Sequence, residues 1–301
     1  MLCTLLRLHL VAVATTGVGL GGCSTSSPPP ITPGMSLDEK IETTRQHLSL
    51  PGAVVAVYQG DEPLIDRAYG VASLEMQEPL TKAHAFRIAS LTKPFVATVL
   101  LQLVDEGAVS LDDPIARYVD GVPSGDEITL RMLAQHTSGL RNYIGLPDVK
   151  AAFASDPERT WTEDELLGFA FEYGPHFDPD DDGWMYSNTN YILLGRVIEA
   201  VEGRPLDEVI HERICKPLGL RDTFYSADAA MPTPHARGYQ MGDASGPKFW
   251  VGEGDVAWDE TRASPSMWHA AGAMVSTLDD VRRFLEALVE GELVSDAAHA
   301  E

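Results

Sequence analysis

The 301-residue sequence predicts an α/β fold of the α+β sandwich type, an antiparallel sheet flanked by helices with a large all-helical region inserted into it. Three observations lead there. Two apolar strand patterns around a Gly-Asp turn open the domain. A long block of helical patterns follows. The composition, 44% hydrophobic and 22% charged, is that of an ordinary globular chain long enough to bury a sizeable core.

The first 22 residues read as a leader that stands outside the folded domain. Arg7 supplies a weak positive charge, and the apolar stretch from Leu10 to Leu20 follows it. A bilayer span needs ~20 apolar residues, so this stretch fits the hydrophobic region of an export signal instead. Leu20-Gly21-Gly22-Cys23 resembles the lipobox of bacterial lipoproteins, in which the Cys becomes the lipid-modified N-terminus. That resemblance implies a lipoprotein signal peptide over 1–22, lipidation at Cys23, and a domain tethered to the extracytoplasmic or periplasmic face of the cell envelope. An ordinary signal peptide with an incidental Cys23 is the competing reading. Residues 23–34 are Ser- and Pro-rich and form an extended tether. The domain proper runs over 35–301.

Within it, a helix is expected from about Ser36 to Leu48. Ala53-Val54-Val55-Ala56-Val57-Tyr58 is a strand, Gly60-Asp61 a turn, and Leu64 to Tyr69 the returning strand. Ser90 to Glu106 is a helix, apolar nearly all round from Phe95 to Val104 and therefore buried. Pro94 is tolerated only near a helix start, which places Ser90 in the first turn. Thr162-Glu163-Asp164-Glu165 caps another helix. Apolar residues at 193, 194, 197, 198 and 201 mark a helix from Asn190 to Glu202, stopped by Gly203. Further helices run from about Leu206 to Cys215 and from Thr277 through Leu288.

Asp plus Glu number 45 against 22 Lys plus Arg, a net charge of −23. Such a surface repels phosphate backbones, which excludes nucleic acid as a partner; solubility is the plain reading of the charge. Of three cysteines, Cys3 lies in the leader and Cys23 is the lipidation candidate. Cys215 is left alone in apolar surroundings and reads as a buried small hydrophobe.

The chemistry starts at Ser90-Leu91-Thr92-Lys93. Ser and Lys at i and i+3 share one helix face. A serine hydroxyl needs an adjacent base to attack, and a desolvated lysine can be one. The helix N-terminus adds partial positive charge, making the Ser90 N–H an oxyanion donor. S-x-x-K alone is a weak signal that an ordinary capping serine and surface lysine would also give.

Its context is more specific. Phe86 to Phe95 resembles the active-serine segment of the class C β-lactamase and D-alanyl-D-alanine carboxypeptidase family. Ala134 to Leu140 resembles that family's H-T-S-G-L segment, and Tyr186-Ser187-Asn188 its Y-x-N motif. Lys216 to Leu220 and Ala271 to Thr277 match further segments. The resemblance runs in order over about 35–295 and implies a β-lactamase/transpeptidase-like fold and a serine hydrolase. Ser90 would be the acylated nucleophile. Lys93 would hold the proton network. Tyr186 would be general base for acylation, its phenolate stabilised by Lys93, and acid for the leaving group. Asn188 would bind the substrate amide and orient Lys93. The substrate would be a D-Ala-D-Ala peptide, a β-lactam or an ester, with no cofactor and no metal.

One departure stands out. The family's third motif, Lys or His followed by Thr-Gly or a close variant, does not appear between Thr277 and Glu301. The expectation is a C-terminally truncated domain lacking its last strands, with an unpaired apolar edge beside the hairpin. An impaired fragment or a non-catalytic binding homologue is therefore the alternative to an active hydrolase. His269 has the wrong spacing for the motif and reads as structural. Asp178, Asp180, Asp182 and Gly183 resemble the start of a calcium loop, but position twelve is Thr189, so a solvated acidic turn is preferred.

Overall fold

A computed structural model describes residues 8–14, 31–179, 181–226, 228–241, 248–250 and 256–301. The chain divides into two compact units. The first comprises 1–87, 231–262 and 276–282; the second comprises 88–230, 263–275 and 283–301.

The first unit carries the main sheet. Its helix α1 (Leu37–His47) starts where Ser36 and Glu39 form a reciprocal capping box, each side chain accepting the other's backbone N–H. Strands β2 (Gly52–Gln59) and β3 (Glu62–Ser73) form the expected hairpin, antiparallel from Gly52↔Gly70 to Gln59↔Glu62. Ala53, Val55 and Val57 of β2 join Ile65 in a core cluster against which Ile41 of α1 and Tyr69 pack. Val54 and Ala56, on the opposite face, are buried as well. Burial on both faces is why this strand reads as an unbroken apolar run rather than an alternation. A short β4 (Glu78–Pro79) pairs with β3. Gly70 is required where it stands: its φ is +73°, and a Cβ there would lie 2.2 Å from the Pro51 carbonyl oxygen.

Two features differ from expectation. Leu8–Ala14, within the segment read as a leader, forms β1, antiparallel to β2 from Leu8↔Gln59 to Ala14↔Ala53. The sheet order is β1-β2-β3-β4, so in this chain the edge of β2 expected to be unpaired is covered. The physical reason is generic: an open edge offers a row of N–H and C=O groups, and a short Val-containing apolar run can extend along it. Cys23 lies outside the described residues. The second difference is a small antiparallel sheet of Tyr239–Met241, Val256–Asp259 and Lys248–Trp250, with Val256–Asp259 central, in a stretch given no strands by its sequence pattern.

The second unit is the helical block. It contains α2 (Thr92–Asp105), α3 (Leu130–Gln135), α4 (Pro147–Ser155), α5 (Glu163–Glu172), α6 (Asn188–Glu202), α7 (Leu206–Ile210) and α8 (Lys216–Leu218). It also holds most of α9 (Leu278–Val289), and α10 (Asp296–His299). Phe224–Tyr225 pairs antiparallel with Met274 and Val275. On α2, Phe95, Val96, Val99, Leu100 and Leu103 are fully buried, as the all-round apolar pattern requires. Its partner α6 buries every residue from Asn188 to Gly195. Thr162 caps α5 by accepting the Glu165 N–H, and Gly203 ends α6 in the left-handed conformation. The helix read as Leu206 to Cys215 is α-helical only to Ile210; His211–Cys215 is a π turn, a register no propensity encodes. Cys215 is buried, as expected.

The second unit's core is held partly by aromatic packing. Phe95 and Phe284 stack with ring centroids 3.6 Å apart, both essentially inaccessible. Phe95→Ala is expected to destabilise the fold by ~3–5 kcal/mol through lost burial and the cavity left behind. Urea unfolding followed by circular dichroism would read this directly.

Candidate active site

All four residues singled out from sequence for catalysis and substrate binding come together in the second unit. Ala89–Leu91 is a single 3-10 turn that leads straight into α2. Ala89 has φ of +46°, a left-handed backbone that costs a non-glycine residue ~1–2 kcal/mol. This bend presents Ser90 to solvent while Lys93, one turn on, points into the unit and is only 5% exposed. The Ser90 amide heads the turn, where helix geometry gives it no carbonyl partner and the dipole of α2 adds positive potential.

Lys93 Nζ has three acceptors: Asn188 Oδ1 at 2.9 Å, the Ala271 carbonyl at 2.7 Å and Ser90 Oγ at 3.1 Å. It also lies 4.8 Å from the Tyr186 ring centroid and 5.4 Å from that of Tyr191. Among the described residues no carboxylate forms an ion pair with it. Burial therefore pushes its ammonium down to about 7. Near neutral pH the amine is substantially unprotonated. Its two N–H groups then serve Asn188 and Ala271, and its lone pair faces the Ser90 hydroxyl.

Tyr186 is half-buried, and its hydroxyl lies 2.8 Å from Ser90 Oγ. Its pKa is raised, chiefly by burial, with the Ser90 hydrogen bond pulling the other way. Burial thus favours the phenol, and a phenolate at Tyr186 would need the Lys93 ammonium beside it to offset that desolvation.

Several supporting residues were not singled out from sequence. Asn142 Oδ1 accepts the Asn188 N–H at 3.3 Å, Ser138 Oγ donates to Asn190 Oδ1 at 2.9 Å, and Thr189 Oγ1 donates to the Arg141 carbonyl at 2.6 Å. Together they seat the start of α6 on the loop after α3. The signal was present: Ser138 lies inside the H-T-S-G-L segment, and Tyr191 stands one helical turn after Asn188. His269 is structural as expected, its Nε2 within 3.2 Å of the Trp161 carbonyl and its Nδ1 3.5 Å from Glu163. Among the described residues no cluster of three or more His, Cys, Asp or Glu is arranged to hold a metal ion.

Comparison with known proteins places the chain in a family. The Beta-lactamase family profile matches residues 37–301. The chain belongs to the β-lactamase family. A D-stereospecific amidohydrolase from Streptomyces sp. superposes with a TM-score of 0.72 at 35% identity, covering 83% of this chain and 72% of that one. Esterase EstB of Burkholderia gladioli is 31% identical over 88% of this chain and 74% of its own. A D-aminopeptidase of Cereibacter sphaeroides is 30% identical over 74% of this chain but 43% of its own. The chain spans between 40% and 61% of the length of the first curated relatives it matches.

If the neutral Lys93 amine is what makes Ser90 reactive, acylation should rise with pH through about 7 and then level off. The sign follows from the protonation state: below that pH the lone pair is occupied, above it the base is free. The raised Tyr186 predicts no falling limb until the strongly alkaline range. Stopped-flow acylation by an activated ester between pH 5 and 9 measures the profile.

Proposed function

We propose that this chain is a serine hydrolase that works through an acyl-enzyme on Ser90, cleaving D-amino-acid amides and peptides or small esters. The observation that carries the reading is the unbroken contact from Lys93 Nζ through Ser90 Oγ to the Tyr186 hydroxyl. The Ser90 proton passes to the Lys93 lone pair as Oγ attacks the substrate carbonyl. The Ser90 N–H and the dipole of α2 support the developing oxyanion. As the C–N or C–O bond breaks, Tyr186 donates its proton to the leaving group, and the Lys93 ammonium nearby restores the phenol. Water then enters, loses its proton by the same route and releases the acid, returning Ser90 to its hydroxyl form.

The relatives support the choice of substrates. By name they are an amidohydrolase selective for D-substrates, D-aminopeptidases and an esterase. β-Lactams fit the same chemistry, since an acyl-enzyme forms from any reactive carbonyl that reaches Ser90.

We further propose that the protein is exported and lipid-anchored through Cys23, with 1–22 removed, β1 among them, and 23–34 as the tether; the anchored form then leaves the edge of β2 without that strand. The Leu20-Gly21-Gly22-Cys23 pattern supports this. Cys23→Ala should move the protein from the membrane fraction to the soluble fraction of the expressing cell. Unchanged membrane retention would rule the anchor out.

Intact-mass analysis after treatment with a fluorophosphonate, and separately with a fluorescent penicillin, tests the hydrolase reading. A single adduct that is absent in Ser90→Ala is expected. A folded chain that takes no label from either probe would show that Ser90 is not an active nucleophile here.

A further inference from the structure

His136 is buried at the C-terminus of α3, in the left-handed conformation at φ 62° and ψ 33°. A non-glycine residue is uncommon there, and the conformation aims both its backbone carbonyl and its ring at one target. The carbonyl accepts the Met185 N–H at 3.0 Å. Nδ1 accepts the Ser187 N–H at 3.2 Å. Between those two anchored amides sits Tyr186, whose ring packs on the imidazole with centroids 4.5 Å apart at 37°. One residue therefore grips the catalytic tyrosine segment from both sides and along its face. The same imidazole packs against Tyr191, at 5.4 Å, whose own ring lies beside Lys93.

We propose that His136 is a positioning residue for the acyl-transfer step, fixing the Tyr186 hydroxyl at Ser90 by holding the Met185 and Ser187 amides in place. This rests on the Ser90 acyl-enzyme reading given above. Because Nδ1 is the acceptor, the ring is the neutral tautomer with its proton on Nε2. Burial, and secondly the charge on Lys93, hold its pKa down to about 4, so the acceptor persists through the working pH range. The Ser187 side chain makes the grip necessary. Its hydroxyl is buried without a hydrogen-bond partner among the described residues, so that side chain adds no tether to the backbone around Tyr186.

The test separates the acceptor from the bulk of the ring. Asn places Oδ1 where His places Nδ1 and tolerates the left-handed backbone. Leu fills part of the space and removes the acceptor. Fluorophosphonate labelling of Ser90 in the wild type, together with kcat and KM for a D-amino-acid amide and an alkyl ester, whose leaving groups need the Tyr186 proton, would be measured for wild type, His136→Asn and His136→Leu. We expect His136→Leu to lose about 10²-fold in kcat with KM little changed, the scale on which a small misplacement of a reacting group is felt. His136→Asn should recover most of that loss. Thermal melts check that each variant folds. If His136→Leu does not, His136→Gln, whose acceptor stands one bond further out, reads the same step and should also be slow. Equal losses in the Asn and Leu variants, a change confined to KM, or wild-type rates in a folded Leu or Gln variant would overturn the role of His136. A wild-type chain that takes no label at Ser90 would instead overturn the hydrolase reading, and this inference with it.

Discussion

The site depends on burying a lysine that, among the described residues, has no carboxylate partner. Removing an ammonium from water is costly, and in practice a protein meets that cost by shifting the group towards its neutral form. Lys93 shows this: its pKa falls to about 7, and its partners are a side-chain amide, a backbone carbonyl and the nucleophile itself. A carboxylate among those partners would have kept it charged and useless as a base. The apolar wall of α2 and α6, with two tyrosine rings, makes the pocket that does the shifting.

That requirement explains much of the surrounding backbone. Asn188 can face Lys93 because α6 begins there, and α6 begins there because Asn142, Arg141 and Ser138 receive or bond its first residues. The Ala271 carbonyl is presented by a short 3-10 turn, His269–Ala271, closed by the Ala271 N–H on the Trp268 carbonyl at 2.8 Å. Gly139 lets the loop after α3 pass Phe177: its φ is +71°, and a Cβ would fall 2.0 Å from the Phe177 carbonyl oxygen. The chemistry is concentrated on α2 and the entry to α6, while the precision comes from loops pinned by buried hydrogen bonds.

Local signals in the sequence were reliable where the physics is local. Thr162 caps the helix it was expected to cap, α1 starts beside the expected Ser36, and Gly203 stops α6. Gly60-Asp61 turns the hairpin. Pairing that is decided at a distance leaves no such local signal. The small sheet around Val256–Asp259 depends on partners that no short pattern names, and the π turn at His211–Cys215 interrupts a pattern that reads as continuous helix. Leu8–Ala14 shows the same ambiguity, since an apolar run suits a leader and a sheet edge alike.

The chemical inventory is legible in the linear order of residues: a serine and a lysine on one helical face, a tyrosine and an asparagine opening another helix, and family segments between and after them. Side-chain identity and short spacing are enough for that, because i, i+3 geometry is fixed by the helix. Packing supplies the rest, the burial that shifts Lys93 down and Tyr186 up and the contacts that hold the site. Lys93 and Tyr186 are 93 residues apart in sequence, and their pKa shifts come from burial that exists only after packing. The grip of His136 on the Tyr186 segment is likewise a matter of where a left-handed residue at the end of α3 aims its carbonyl and ring, which no linear pattern specifies.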